Sequence, residues 1–215
     1  MVEKLMYISN ALIILSFALY FILIIINNKK ITESNGFNIT KDILNEYDSI
    51  NIIESKNYFT VYNIKRKVIK IASKCYYGNT LSDIAIPLIE SGVSVIDNKG
   101  NKSIDFLRKI IPSLKYLYIF PIFMIGVNSV TYNISDAKVS IVFGIVALMI
   151  SYILVNIKSE SVLLLSSKIK KIKGINNDNK NKIISFINKV IFFDKLIFMS
   201  EGIMIIRFVM LLVNM

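Results

Sequence analysis

Tyr116–Ser135 reads YLYIFPIFMIGVNSVTYNIS and Val139–Ile157 reads VSIVFGIVALMISYILVNI, with only Asp136-Ala137-Lys138 between them. Neither run contains Asp, Glu, Lys or Arg, over 20 and 19 residues respectively. Crossing a bilayer takes about 20 apolar residues, and core helices of soluble proteins keep a charged face over such lengths. The pair therefore predicts a transmembrane hairpin over 116–157. Outward from it, Leu5–Ile26 is uncharged for 22 residues. That run is longer than the apolar core of a signal peptide, has no small-x-small cleavage site after it, and leads directly into Asn27-Asn28-Lys29-Lys30. It reads as an uncleaved anchor. A last run, Leu196–Met215, is broken by Glu201 and Arg207. An ionisable group at mid-bilayer costs at least about 2.5 kcal/mol, so these two must pair, face protein or sit near the interface. The run is a fourth span or an interfacial amphipathic helix.

Composition agrees with a membrane protein: 215 residues, 54% hydrophobic, mean hydropathy +0.57. A single cysteine, Cys75, cannot form an internal disulfide. Histidine is absent, which excludes Ser-His-Asp and Cys-His hydrolases and His-ligated zinc sites. The net charge is +11, from 26 Lys and Arg against 15 Asp and Glu. Only three of the basic residues are Arg, and there are no Arg-rich or aromatic-interleaved patches, so nucleic acid is not the expected partner. Lys and Arg number 13 in segment 27–113 and 9 in segment 158–195, against Lys138 alone in the hairpin turn and Lys4 before the anchor. The positive-inside rule then places both segments in the cytoplasm and the N-terminus outside, for a multi-pass protein of the cell membrane.

Segment 27–113 is near the lower size limit of a domain. Asn38 is the expected N-cap of a short helix over Ile39–Glu46. Tyr58–Tyr62 and Lys67–Ala72 read as a β-hairpin around Asn63-Ile64-Lys65-Arg66. Thr80 and Asp83 have capping-box spacing, and Ile86, Ile89, Val93 and Ile96 share one helical face. Thr80–Ile96 is either one helix or a helix kinked at Pro87, with Val93-Ser94-Val95 as a strand. Segment 158–195 extends the third span, stops at Gly174 and resumes as a helix near Lys182. Its cluster Lys168, Lys170, Lys171 and Lys173 is a binding patch for anionic lipid or a solvated helix end. The expected fold class is a mainly α integral membrane protein, with three to four transmembrane helices and a small α+β cytoplasmic segment containing one β-hairpin.

The order of these elements resembles the YugP-type neutral zinc metallopeptidases, a family of membrane-bound bacterial proteins. The resemblance is carried by Asn35-Gly36-Phe37, by Tyr62–Ile71, by Tyr76 and Thr80–Ala85, by Leu107-Arg108 through Pro112, and by Val155–Ser159. It implies a zincin-like cytoplasmic segment. It also places the family's His-Glu-x-Gly-His motif on Ile89-Glu90-Ser91-Gly92-Val93 and its third, acidic ligand at Asn156. Two histidines one helical turn apart bind the metal, and the Glu beside them acts as base. Here Glu90 and Gly92 remain, while the ligand positions are held by Ile89, Val93 and Asn156.

Zinc lowers the pKa of bound water from 15.7 to about 7, worth on the order of 12 kcal/mol in forming the nucleophile. A lone Glu90 cannot supply that, and Ile89 and Val93 read as an apolar packing stripe. The expectation is therefore a catalytically inactive, membrane-anchored homologue that binds no metal or cofactor. Its role would be binding, assembly or regulation toward a membrane-protein partner or client within the lipid bilayer. The alternatives are a working peptidase with unrecognised ligands, and a small accessory subunit of a membrane complex or transporter. Glu201 and Arg207 favour the accessory subunit.

Overall fold

The structure is a computed structural model that describes residues 1–47, 49–110, 120–172 and 174–213. Its Cα positions divide into two compact units: Met1–Phe21 with Tyr116–Val155 and Phe192–Met215, and Ile22–Lys115 with Asn156–Ile191.

The first unit is helical. Among the described residues, three helices are long and apolar enough to cross a membrane: α1 (Val2–Ile26), α7 (Ile134–Lys171) and α8 (Asn177–Val213). Only 22%, 33% and 28% of their apolar windows are buried by protein, so most of that surface is left for lipid to cover. The chain is a membrane protein. Of the expected span 116–135, residues 116–119 lie outside the described residues; the shorter helix α6 (Phe120–Val130) follows them and ends before 131. Ile13, Met124, Ala147, Met204 and Phe208 form a common core, one or more from each helix.

The hairpin turn falls at 131–133, ahead of the expected Asp136-Ala137-Lys138. Asn133 caps α7: its side-chain oxygen accepts from the Asp136 amide at 2.9 Å and its carbonyl from Ala137 at 3.0 Å. Asp136 thereby enters the first helical turn, where its charge suits the helix dipole. The expected separate helices around Lys182 and over 196–215 are one helix, α8. No Gly or Pro breaks the chain between them, and Asp194-Lys195 is no obstacle on a helix surface. Gly174, at φ +81, does mark the turn between α7 and α8.

The second unit holds a three-stranded sheet of order β1-β3-β2 among helices. Strands β2 (Val61–Asn63) and β3 (Val68–Ala72) form the expected hairpin, with Tyr62 opposite Ile69. Strand β1 (Asn51–Ser55) was not foreseen. It lies parallel to β3, mostly exposed, and its sequence Asn-Ile-Ile-Glu-Ser lacks the alternation that marks a half-buried strand. Helix α2 (Gly36–Leu44) begins three residues earlier than predicted: Asn35 is the N-cap and accepts from the amide of Asn38. After the short α3 (Ser73–Tyr77), helix α4 (Leu81–Asn98) runs unbroken through Pro87, opened by the full Thr80–Asp83 capping box. The strand alternative for 93–95 fails because the serines there satisfy themselves within the helix. Ser91 donates to the Pro87 carbonyl at 2.8 Å and Ser94 to the Ser91 carbonyl at 2.7 Å. Helix α4 packs against α2, α3, β2 and β3, and α5 (Lys102–Ile110) follows it.

Candidate functional site

Helix α4 carries the resemblance motif and is buried over nearly its whole length. Ile89 and Val93 are 4% and 1% exposed, and Glu90 is 4% exposed. A buried carboxylate needs donors, and Glu90 accepts the backbone amide of Tyr62 at 2.8 Å. Tyr62 lies on β2, an edge strand, so the helix carboxylate satisfies an amide that the sheet leaves unpaired. Two turns along α4, Asp97 accepts the Tyr62 hydroxyl at 2.5 Å. Asp97 also pairs with Arg108 of α5, which donates to the carbonyl of Ile64 at 3.3 Å and to Asp105 at 2.6 Å. Burial, then the bond to Asp97, pushes the Tyr62 phenol above its usual range. The sequence reading missed this Tyr62–Asp97–Arg108 chain. Its signal was the pair Glu90 and Asp97, acidic residues at i and i+7 beyond the capping Asp83 on a mainly apolar helix.

Others of the resemblance residues have structural roles in the second unit. A Cβ on Gly36 would lie 2.3 Å from the Cys75 carbonyl oxygen and 2.6 Å from that of Asp83. Phe37 stacks on Tyr76 with ring centroids 4.6 Å apart. A Cβ on Gly92 would lie 2.7 Å from Cβ of Ser161 and 2.6 Å from a methyl of Leu165. Glycine here lets α4 and α7 approach closely. Pro112 lies outside the described residues.

Asn156 stands apart from the buried trio. It is exposed on α7, whereas Ile157 and Lys158 beside it are buried. At about 100° per residue, Asn156 is rotated about 140° from Ser161, the residue that meets Gly92. Lys158, 1% exposed, is engaged with other groups. The residues do not fit zinc: two ligand positions are packed aliphatics, the third faces outward, and Glu90 is committed to β2. Among the described residues, no three of His, Cys, Asp and Glu gather closely enough to hold a metal ion. Cys75 is buried, and burial followed by the charge of Asp83 pushes its thiol up to about 11, the reverse of a reactive cysteine.

The lysine cluster is partly committed to helix ends. Lys168 donates to Glu46 at 2.7 Å and to the Ile43 carbonyl at 3.2 Å, near the C-terminus of α2, and lies over the Tyr47 ring. Lys180 donates to the Lys170 carbonyl at 2.9 Å, near the end of α7. Lys170 and Lys171 stay exposed; Lys173 is outside the described residues.

The first unit has a polar site of its own. Arg207, 1% exposed, donates to the carbonyls of Asn128 at 2.7 Å and Thr131 at 2.6 Å, and to the Asn128 side chain at 3.0 Å. These are orphan carbonyls at the C-terminus of α6, where a cation also suits the dipole. The Asn128 amide in turn donates to Ser9 at 2.9 Å and Asn10 at 2.8 Å of α1. Thr131 and Ser140 of α7 share a hydrogen bond of 2.7 Å. Arg207 therefore faces protein, one of the three options open from sequence.

The fold and these two sites define a class: a mainly helical membrane protein with a small three-stranded sheet. Compared with known proteins, the chain matches no family model, no curated protein and no solved structure.

Proposed function

We propose that this chain is a catalytically inactive, membrane-anchored relative of the YugP-type zinc metallopeptidases, with a binding, assembly or regulatory role toward a membrane-protein partner or client. In this reading the second unit is a zincin-like segment, with α4 as the former active-site helix and β2–β3 as the hairpin beside it. The chain crosses the cell membrane four times, with residues 27–113 and 158–195 cytoplasmic and the N-terminus outside.

One observation carries the reading: the carboxylate of Glu90, at the general-base position, is held by the Tyr62 amide at 2.8 Å between buried Ile89 and Val93. A general base must reach a water molecule and the reacting bond. Glu90 instead completes a sheet edge, which is the work of a scaffold.

The test is metal analysis of the purified full-length protein after incubation with zinc, with thermal unfolding followed with and without chelator. The expected result is no stoichiometric zinc and an unchanged Tm, because no ligand set couples metal to folding. One zinc per chain, or chelator-sensitive cleavage of an unfolded protein substrate, overturns the proposal.

A further inference from the structure

Glu201 is the one charged side chain of the apolar stretch of α8 that Arg207 does not account for. It is 0% exposed, and neither carboxylate oxygen has a hydrogen-bond partner. Helices α7 and α8 pack closely around it: a Cβ on Gly144 would lie 3.0 Å from Ile205, and the next residue, Gly202, comes within 4.0 Å of Leu148 by the same measure. One turn on from Leu148, the Ser151 hydroxyl stands beside Glu201. Ser151 also lines a cavity of about 20 Å³, together with Pro121, Ile197 and Asp194. That volume holds about one water. Ile197 and Asp194 precede Glu201 by four and seven residues, so all three share one face of α8. Asp194 is half-buried, about 10 Å along the helix axis from Glu201.

Among the described residues, no other charge faces Glu201. Helix α6 has no titratable residue, α1 has only Tyr7 and Tyr20 between Leu5 and Phe21, and α7 has only Tyr152 between Val139 and Val155. On α8 itself, Arg207 is committed to Asn128 and Thr131, and Lys195 is exposed. An ionised carboxylate sealed from water with no charge and only the Ser151 hydroxyl beside it is costly, whereas the neutral acid is far less so. We propose that Glu201 is a proton-binding site of the membrane unit, exchanging its proton by way of Ser151 and the one-water cavity with Asp194. The ligand is a proton. The proposal is independent of the metallopeptidase resemblance.

The probe is dicyclohexylcarbodiimide, an apolar reagent that adds a protonated carboxyl across its C=N bond; the acyl group then shifts to nitrogen, leaving a stable adduct with no leaving group. Full-length protein in lipid vesicles is labelled at acid and alkaline pH and mapped by mass spectrometry, beside the carboxylic C=O band in infrared spectra. The expected result is an adduct at Glu201 when labelling is run in acid and none when it is run at alkaline pH, with reactivity restored if the pH is lowered again before the reagent is added. In unlabelled protein a carboxylic infrared band comes and goes with the same pH change and is absent from Glu201→Gln. Glu201→Gln mimics the neutral acid and should keep the wild-type Tm in acid. If that variant fails to fold, wild-type labelling and the infrared band still decide. No adduct at Glu201 in acid overturns the proposal. So does labelling that persists unchanged at alkaline pH, which would mark a sealed acid that never exchanges.

Discussion

The amide of Tyr62 donates to the carboxylate of Glu90 across 2.8 Å, joining the edge of a sheet to the middle of a buried helix. Because both ends are sealed from water, each depends on the other. Glu90→Ala leaves the amide unsatisfied at about 1–3 kcal/mol. Glu90→Gln keeps an acceptor oxygen but loses the charge. Thermal unfolding should rank wild type above Gln and Gln above Ala; equal stability of all three would show that the bond contributes nothing.

Gly92 should not tolerate a methyl group. Its Cβ would meet Cβ of Ser161, which cannot rotate away, so Gly92→Ala should cost about 1–3 kcal/mol by overpacking. Adding Ser161→Gly removes one of the two clashing partners and should recover part of that loss. A double-mutant cycle with zero coupling would show that α4 and α7 do not touch there.

Rebuilding the metal site should fail. Ile89→His with Val93→His places imidazoles in packed positions, and Asn156→Glu adds a carboxylate on a face turned away from Gly92. Each buried polar ring without partners costs about 1–3 kcal/mol. The triple variant should be destabilised equally with and without zinc. A zinc-dependent rise in Tm would show that a pocket persists.

Tyr62 makes stability sensitive to alkali. Burial and the bond to Asp97 hold its proton more tightly in the folded protein than in the unfolded chain, where tyrosine titrates near about 10. The contribution is complete below that value. It is lost as pH rises above it, because only the unfolded state then releases the proton. Tyr62→Phe should lower Tm modestly at neutral pH and flatten the alkaline decline. An unchanged slope would place the alkaline sensitivity elsewhere.

The proposed orientation predicts a labelling pattern in intact cells. Cysteines introduced at Lys65 and Lys171 should be shielded from an impermeant thiol reagent, while one at Ser135 should react. The native thiol, buried and held protonated, should stay silent. Reaction at Lys65 with none at Ser135 would invert the topology.

The apolar runs were legible because lipid selects on composition alone: the apolar windows of α1, α7 and α8 are visible without knowing any contact. The capping box at Thr80–Asp83, the β2–β3 hairpin and the turn at Gly174 were legible because each is a local bond or dihedral preference. Strand β1 was not, since its pairing with β3 lies in the partner and leaves no pattern in Asn51–Ser55. Nor was the engagement of Glu90, whose partner is a backbone amide 28 residues away. Arg207 stood out as an anomaly in an apolar run, but the carbonyls that receive it have no signature in sequence.

Those carbonyls have a bearing on synthesis. Arg207 reaches the Asn128 carbonyl across 79 residues of chain. On a ribosome, α6 is therefore made with its C-terminal carbonyls unfinished and waits until α8 is made. Until α8 arrives, water or a chaperone must occupy the place of the guanidinium. The order of manufacture thus sets the order of assembly. A chain cut short before Arg207 leaves the Asn128 and Thr131 carbonyls without the guanidinium that donates to them.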